Sequence, residues 1–408
     1  MKKHLLALSA AAVLLAPQTV GAEGFSINEW SAEGFGMGGA RMFAENDAAN
    51  MAYNPASLTK VQGEKAKVSV AYIAPHGKYK ADMDPAGDYT GPYAEHGRNR
   101  VNPAFAPGLY YVKQINDKEW LGMGTYARFG NMCQFEAGSL PGTNNTSAKL
   151  NGVSLGINYA KKMDSKWSAS LGAEVNYIGL QYDKTPMVGV GTFAHAHLEG
   201  ESYALGWNAA ANYAFDDKNE FGVVYRSKVK HSMEADLDTT LAAPGYYDAY
   251  GVVTLPESWM LGYGHKFNDK TRVELNATWT RWSRFDALNI DNELGLPLNS
   301  ERNWKDGWRY AIGIEHKLSD KYSLLAGIAH DERGIPDDHA DFMVPTGERD
   351  TYSLGVQYHD KKQTIAFSMG YMDVGDLNMT RHGTDAYAKA KMYDSYTKIF
   401  VLSYQYNF

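Results

Sequence analysis

The chain has 408 residues, a formal net charge of −7, one cysteine and 13% aromatic side chains, with 28 Tyr and 9 Trp. That charge argues against nucleic acid as a partner, and a lone Cys133 excludes an internal disulfide framework. The length would suit two or three soluble domains, but a large barrel absorbs it as one.

Taken in chain order, Lys2-Lys3, the apolar run Leu5–Leu15 and the small residues Val20-Gly21-Ala22 read as a signal peptide over 1–22. The apolar run is too short to span a bilayer as a helix, and no later segment is an apolar run of helical length. A membrane protein without such helices has to be a closed barrel, because only helices and barrels satisfy every backbone group in lipid. An all-β periplasmic or secreted protein is the alternative that composition leaves open.

Residues 23–63 are rich in Gly and Ala and show no strand alternation, yet they carry Phe25, Ile27, Trp30, Phe35, Met37 and Phe43. Apolar residues in that number argue for burial, so the segment is expected to plug a barrel formed by 64–408. A wide barrel left empty would leak. The triplet Gly34-x-Gly36-x-Gly38 imitates a phosphate loop but has no strand before it and no helical pattern after it.

From Lys65 onward, short polar turns recur every 40 to 53 residues: Asn116-Asp117-Lys118, Met163-Asp164-Ser165, Asp216-Asp217-Lys218, Asn268-Asp269-Lys270, Ser319-Asp320-Lys321 and His359-Asp360-Lys361. Between them lie polar stretches near 75–104, 131–148, 183–201, 231–250, 286–305, 332–348 and 374–393, read as loops. Six short turns and seven long loops both give fourteen strands when the two ends lie on the short-turn side. Cys133 falls in one of these loops and is given no role. His195 with His197, and Asp337, Asp338, His339 and Asp341, read as solvated loop charges rather than metal ligands.

The chain closes on Phe400, Leu402, Tyr404, Tyr406 and Phe408 along one strand face, with Ser403, Gln405 and Asn407 on the other. An aromatic-rich face opposite a polar one is the pattern of a strand with lipid outside and a lumen inside. The terminal Phe408 resembles the signal read by the outer-membrane insertion machinery. The expected fold class is therefore all-β, a 14-stranded antiparallel transmembrane β-barrel with an N-terminal plug, in the outer membrane of a Gram-negative bacterium.

An ordered set of segments resembles the FadL-type long-chain fatty acid transporters. Gly24-Phe25-Ser26-Ile27-Asn28-Glu29 resembles the start of that family's hatch, and Asn54-Pro55-Ala56 its Asn-Pro-Ala motif. Gly206-Trp207-Asn208-Ala209, Tyr225-Arg226-Ser227-Lys228, Leu255-Pro256-Glu257-Ser258-Trp259, Trp279-Thr280-Arg281-Trp282, Trp304-Lys305-Asp306-Gly307-Trp308 and Gly327-Ile328-Ala329-His330-Asp331 follow in family order. The resemblance implies a passive, monomeric channel without cofactor, metal or covalent chemistry. Its ligand would be a long-chain fatty acid or another hydrophobic compound, moving from an interior site to a lateral exit at a kinked strand.

Residue by residue, the resemblance places the kink at Gly130, where a glycine can hold a bulge. It places ligand contacts at Phe25, Asn54, Pro55, Ala56, Lys184, Arg302 and Asp331. Lys184 or Arg302 would face a carboxylate, Asp331 would be the acid of that charged cluster, and Asn54 would bond the backbone bared at the kink. The competing readings are an aromatic hydrocarbon or alkane channel, a surface adhesin or phage receptor, and a barrel enzyme acting on lipids. No Ser/His/Asp arrangement in the sequence supports the last.

Overall fold

The computed structural model describes residues 24–82, 95–137, 139, 147–185, 187–189, 192–241, 243–295, 298–380 and 389–408. The expected signal segment 1–22 lies outside the described residues. The wall begins with β1 (Glu64–Asp82), edged at the top by β2 (His96–Arg98), then β3 (Ala104–Asn116), β4 (Glu119–Tyr126) continued by β5 (Gly130–Gln134), β6 (Ser147–Lys162) and β7 (Trp167–Lys184). After the small pair β8 (Met187–Gly189) and β9 (Thr192–Phe193) come β10 (Ala196–Ala214), β11 (Asn219–Arg226) continued by β12 (Val229–Thr239), and β13 (Gly245–Leu255) continued by β14 (Ser258–Lys266). The last third holds β15 (Thr271–Thr280), the β16 (Ala287–Asn292) and β17 (Leu298–Glu301) hairpin, β18 (Gly307–Lys317), β19 (Tyr322–Asp331), β20 (Arg349–His359), β21 (Gln363–Val374) with β22 (Leu377–Thr380), and β23 (Lys389–Asn407).

These segments make fourteen wall spans, every pairing among the described strands being antiparallel, and β1 closes on β23 from Lys65↔Asn407 to Asp82↔Lys389. The short turns repeat because in each an Asn, Asp or Ser side chain caps amides just beyond it, one at Asn116 and two at the other five. Asp164 accepts from Lys166 and Trp167 N–H at 2.7 Å, Asp216 from Lys218 and Asn219 at 2.8 Å, and Asn268 from Lys270 and Thr271 at 2.9 Å.

Alternation places aromatics outside. Trp167 packs on Tyr213 at 4.7 Å, and Tyr177 on Tyr203 at 5.1 Å. On each strand the two aromatics are ten positions apart. At about 3.3 Å per residue and a tilt of roughly 40° this is about 25 Å, the height of an apolar band between two aromatic girdles. The inner face changes character with height. Along β7 the buried positions run Ser168, Ser170, Glu174 and Asn176 near the short-turn end, then Ile178, Leu180 and Tyr182.

The stretches 183–201, 231–250 and 286–305, expected as loops, are mostly strand: β10 starts at Ala196, β12 and β13 pair from Val229↔Leu255 to Thr239↔Gly245, and β16 pairs β17. The wall here rises above the lipid, and charged residues such as Glu199, Glu234, Asp236 and Asp248 interrupt its outward rows, with Asp248 between Tyr246 and Tyr250. The apolar alternation that marks a membrane strand is therefore missing there.

Residues 24–63 pack against the polar part of the inner face through two short helices, α1 (Ala32–Gly36) and α2 (Asn50–Tyr53), and the 3-10 turn Pro55–Lys60. Helices this short leave most of their amides and carbonyls unpaired, and wall side chains take them up. Glu274 accepts from Met42 and Phe43 N–H at 2.6 and 3.2 Å, Gln405 from Ala48 N–H at 2.9 Å, and Arg226 donates to Ala52 O at 2.6 Å. The charges are paired in turn. Lys67 meets Glu33 and Asp47 at 2.9 and 2.5 Å, and Arg41 meets Asp47 and Glu315 at 3.1 and 3.3 Å. Burial alone would raise the Asp47 carboxyl, but Lys67 and Arg41 outweigh it and hold the group well below the usual carboxylate range.

Glu174 accepts from Arg226 at 2.6 Å, Tyr126 at 2.8 Å, Asn208 at 2.9 Å and Arg128 at 3.2 Å, all of them buried. Glu174→Gln keeps the shape but leaves two buried guanidiniums without a counter-charge, an effect of about 3 kcal/mol. The expected outcome is a lower urea midpoint for unfolding in lipid vesicles, while Leu171→Ala, on the lipid face of the same strand, changes it little.

Candidate functional site

The ladder fails at one height between β3 and its neighbour. β4 pairs with β3 only as far as Leu109↔Thr125, so Ala104–Gly108 bonds to β1 alone among the described pairings. Pro107 lies in this stretch, and proline is tolerated where a strand is an edge. Between β4 and β5 the residues Ala127, Arg128 and Phe129 leave the ladder, and β6 is met again at Gly130↔Asn151.

The N-terminal segment takes over the bared backbone. Gly130 N–H donates to Phe25 O at 2.8 Å, Ile27 N–H to Arg128 O at 2.9 Å, and the Trp30 indole N–H to Ala127 O at 2.5 Å. Asn54, expected to bond this kink, does not reach it. Its side chain donates to Met42 O at 3.1 Å and Asn212 at 2.7 Å, and accepts from Ala56 N–H at 3.1 Å. Asn54 caps the 3-10 turn that Pro55 opens, and Ala56 joins a cluster with Met42, Phe43, Ala210 and Val224. These three residues fasten the segment to the wall on the short-turn side, because a chain leaving α2 at Asn54 is already among the polar wall positions.

Phe25 is the hub of an aromatic cluster at the kink. Its ring lies 4.8 Å from Trp282, 5.3 Å from Phe285, 5.9 Å from Trp304 and 6.0 Å from Phe129, edge-on to each. Gly24 makes the approach possible: its φ is +63°, and a Cβ there would stand 2.6 Å from Trp304 and 2.9 Å from Trp282. The cluster continues into Leu180, Tyr182, Leu198, Met233 and Leu255 of the wall. Phe342, from the segment between β19 and β20, roofs it against Tyr79 at 5.9 Å and Phe135 at 5.4 Å.

Arg302 is fully buried in this apolar surround, its guanidinium 5.9 Å from the Phe285 ring centre and its Nη1 2.8 Å from Asp341. Asp331, expected as the acid here, instead pairs with Arg309 at 3.0 Å across β18 and β19, and Arg309 donates to Gly38 O at 2.6 Å. The register Arg309↔Asp331 faces them inward below the cluster. Lys184 closes the far edge at the top of β7, its ammonium 5.3 Å from the Tyr182 ring. Cys133, expected in a surface loop, is buried in β5 with its thiol 3.0 Å from Phe342 O. The kink turns β5 inward, which no local pattern around Cys133 signals.

Among the described residues, the indole N–H of Trp282, that of Trp304, Arg302 Nε and the ring of His231 are buried here without a hydrogen-bond partner of good geometry. A cavity of about 40 Å³ beside Phe129, lined by Ser26, Ile27, Arg128, Arg226 and Thr280, has room for water and none for an acyl chain. Phe25→Ala removes the hub and costs about 3 kcal/mol of local packing. It is expected to shift the emission of Trp282 and Trp304 to the red and raise their quenching by acrylamide, with the barrel's β-sheet circular dichroism unchanged.

The description of outer membrane protein transport proteins (OMPP1/FadL/TodX) matches residues 12–408. A long-chain fatty acid transport protein of Escherichia coli O6:H1 is 26% identical over 94% of each chain, and outer membrane protein P1 of Haemophilus influenzae is 26% identical over 88% of this chain and 87% of its own. The crystal structure of a Pseudomonas aeruginosa FadL homologue superposes with a TM-score of 0.84 at 20% identity, covering 94% of this chain and all of the other. That of the P. putida toluene transporter TodX gives 0.71 at 18%, over 93% and 99%. The chain belongs to the OMPP1/FadL/TodX family and is an outer-membrane β-barrel transporter of hydrophobic compounds.

Proposed function

We propose that the transported compound is a long-chain fatty acid, held in the aromatic cluster with its carboxylate toward Arg302. The observation that carries this reading is the set of N–H groups of Trp282, Trp304 and Arg302 that find no partner among the described residues of an otherwise apolar core. An unmade bond on a buried donor costs about 1–3 kcal/mol. A carboxylate relieves that cost, and a hydrocarbon leaves it in place. The tail contributes about 0.8 kcal/mol per methylene before ordering costs, so the head group decides orientation more than affinity. Lys184 at the outer edge is a first contact for the same head group. The residues 24–63 act as the plug, and the ligand leaves sideways through the unpaired edge Ala104–Gly108.

Arg302→Met removes the cation at similar volume. Oleate binding, followed by indole fluorescence, is expected to weaken by roughly 10- to 100-fold with toluene binding little changed. Equal losses for the two ligands would refute the carboxylate role. Three residues, Ala127–Phe129, stand opposite two of β6, Gly152 and Val153, so deleting Arg128 alone makes β4 continuous with β5 in register and closes the side of the wall. The shortened protein is expected to bind oleate and fail to support growth on it in cells lacking their own transporter, and unimpaired growth would rule out the lateral route.

A further inference from the structure

The outward face of the wall above the apolar band is divided by charge. On β1 the side chains of Lys78 and Lys80 continue the outward row of Val68, Val70, Tyr72 and His76. Across the ladder Lys78 stands opposite Arg98, and Lys80 stands between His96 of β2 and Lys391 of β23. Like charges directly opposed on neighbouring strands destabilise a sheet. Two exposed ion pairs relieve part of this, Lys78–Asp394 at 2.7 Å and Lys391–Asp376 at 2.6 Å, and such pairs contribute little. Lys80 and Arg98 have no acidic partner among the described residues. A chain of net charge −7 thus concentrates cations where the fold itself gains little from them.

The height of this patch identifies what it meets. His76 stacks on Tyr396 at 4.8 Å and Tyr396 on Tyr371 at 5.5 Å, which marks the outer girdle on these strands. Lys78 and Lys80 lie two and four positions further out. That places them roughly 5 and 10 Å above the girdle, in the head-group layer. Directly below, Tyr72, Phe105 and Phe400 offer an apolar surface to acyl chains. The opposite sector is acidic at the same height: Glu201 and Glu199 stand two and four positions above Tyr203 on β10, beside Glu234 and Asp236 of β12.

We propose that the face formed by β2, β1 and β23 is a docking surface for a phosphorylated glycolipid of the outer leaflet. Its phosphates lie on the rows Lys78–Arg98 and His96–Lys80–Lys391, and its acyl chains on the aromatics below. Two stacked cationic rows suit a head group bearing two phosphates better than a single phosphodiester. A concavity of about 420 Å³ bordered by Lys78, His96, Arg98 and Tyr393 gives the head group room, with Arg100 beside it already held by Glu136.

The test is native mass spectrometry of the full-length protein in detergent, titrated with bis-phosphorylated lipid A. Each cation near an anionic lipid surface is worth on the order of fivefold. Lys80→Gln/Arg98→Gln/Lys391→Gln is therefore expected to weaken binding roughly 100-fold. Lys80→Arg/Arg98→Lys should keep the affinity, and the acidic-sector variant Glu199→Gln/Asp236→Asn should not weaken it. Lipid A stripped of phosphate should bind the native protein as weakly as bis-phosphorylated lipid A binds the triple variant. Unchanged binding by the triple variant, equal binding of the stripped lipid, or equal binding of phosphatidylglycerol would each overturn the proposal.

Discussion

In a bilayer no backbone amide can borrow a partner from water, and that constraint organises the whole molecule. Closing β1 on β23 meets it around the circumference, and the Asx-capped turns meet it at the lower rim. The wall departs from it beside β3, where Ala127–Phe129 swing inward. The bared carbonyls and amide do not stay unpaired, because Phe25, Ile27 and Trp30 supply bonds from inside. The interior segment is therefore part of the hydrogen-bonding solution as well as a filling.

The same accounting explains a charged interior in a protein that handles apolar compounds. Residues 24–63 contain two helices too short to satisfy their own ends, so the wall must present acceptors and donors to them. Glu274, Gln405 and Arg226 do so, and each buried charge then needs a counter-charge, which Arg41, Arg272, Glu174 and Lys67 provide. Breaking one such pair costs more than the pair contributes, because the survivor stays buried. The polar lower lumen follows from a compact, poorly self-satisfied segment, and it leaves the upper lumen free to be apolar.

The strand number was legible because turn capping repeats the same short side chains at a regular interval, and because aromatics alternate within the lipid band. Above the band that signal disappears, so β12, β13, β16 and β17 read as loops. The interior was legible only where a residue sits in a recognisable segment, as Phe25 and Gly130 do. Trp282 and Trp304 passed unremarked as site residues, although Trp282 shares the inward parity of Thr278 and Thr280 and that parity was a usable clue. The pairing of Arg302 with Asp341 depends on how a 17-residue connection between β19 and β20 folds back, which no local pattern encodes, whereas that of Arg309 with Asp331 follows from the β18–β19 register.

Phe25 joins the two halves of this design. Its carbonyl holds Gly130 at the kink, and its ring holds the aromatic cluster together, with the positive φ of Gly24 fixing the direction of both. In the proposed route a guest that fills the cluster competes with that ring for the same space, since the cavity beside Phe129 has room for no more than water. In that route, moving the ring turns the peptide that carries the carbonyl, so the bond to Gly130 weakens as the cluster accepts its guest. In the proposed route, occupancy of the interior site and loosening of the wall beside β3 are then one event, because one residue serves both.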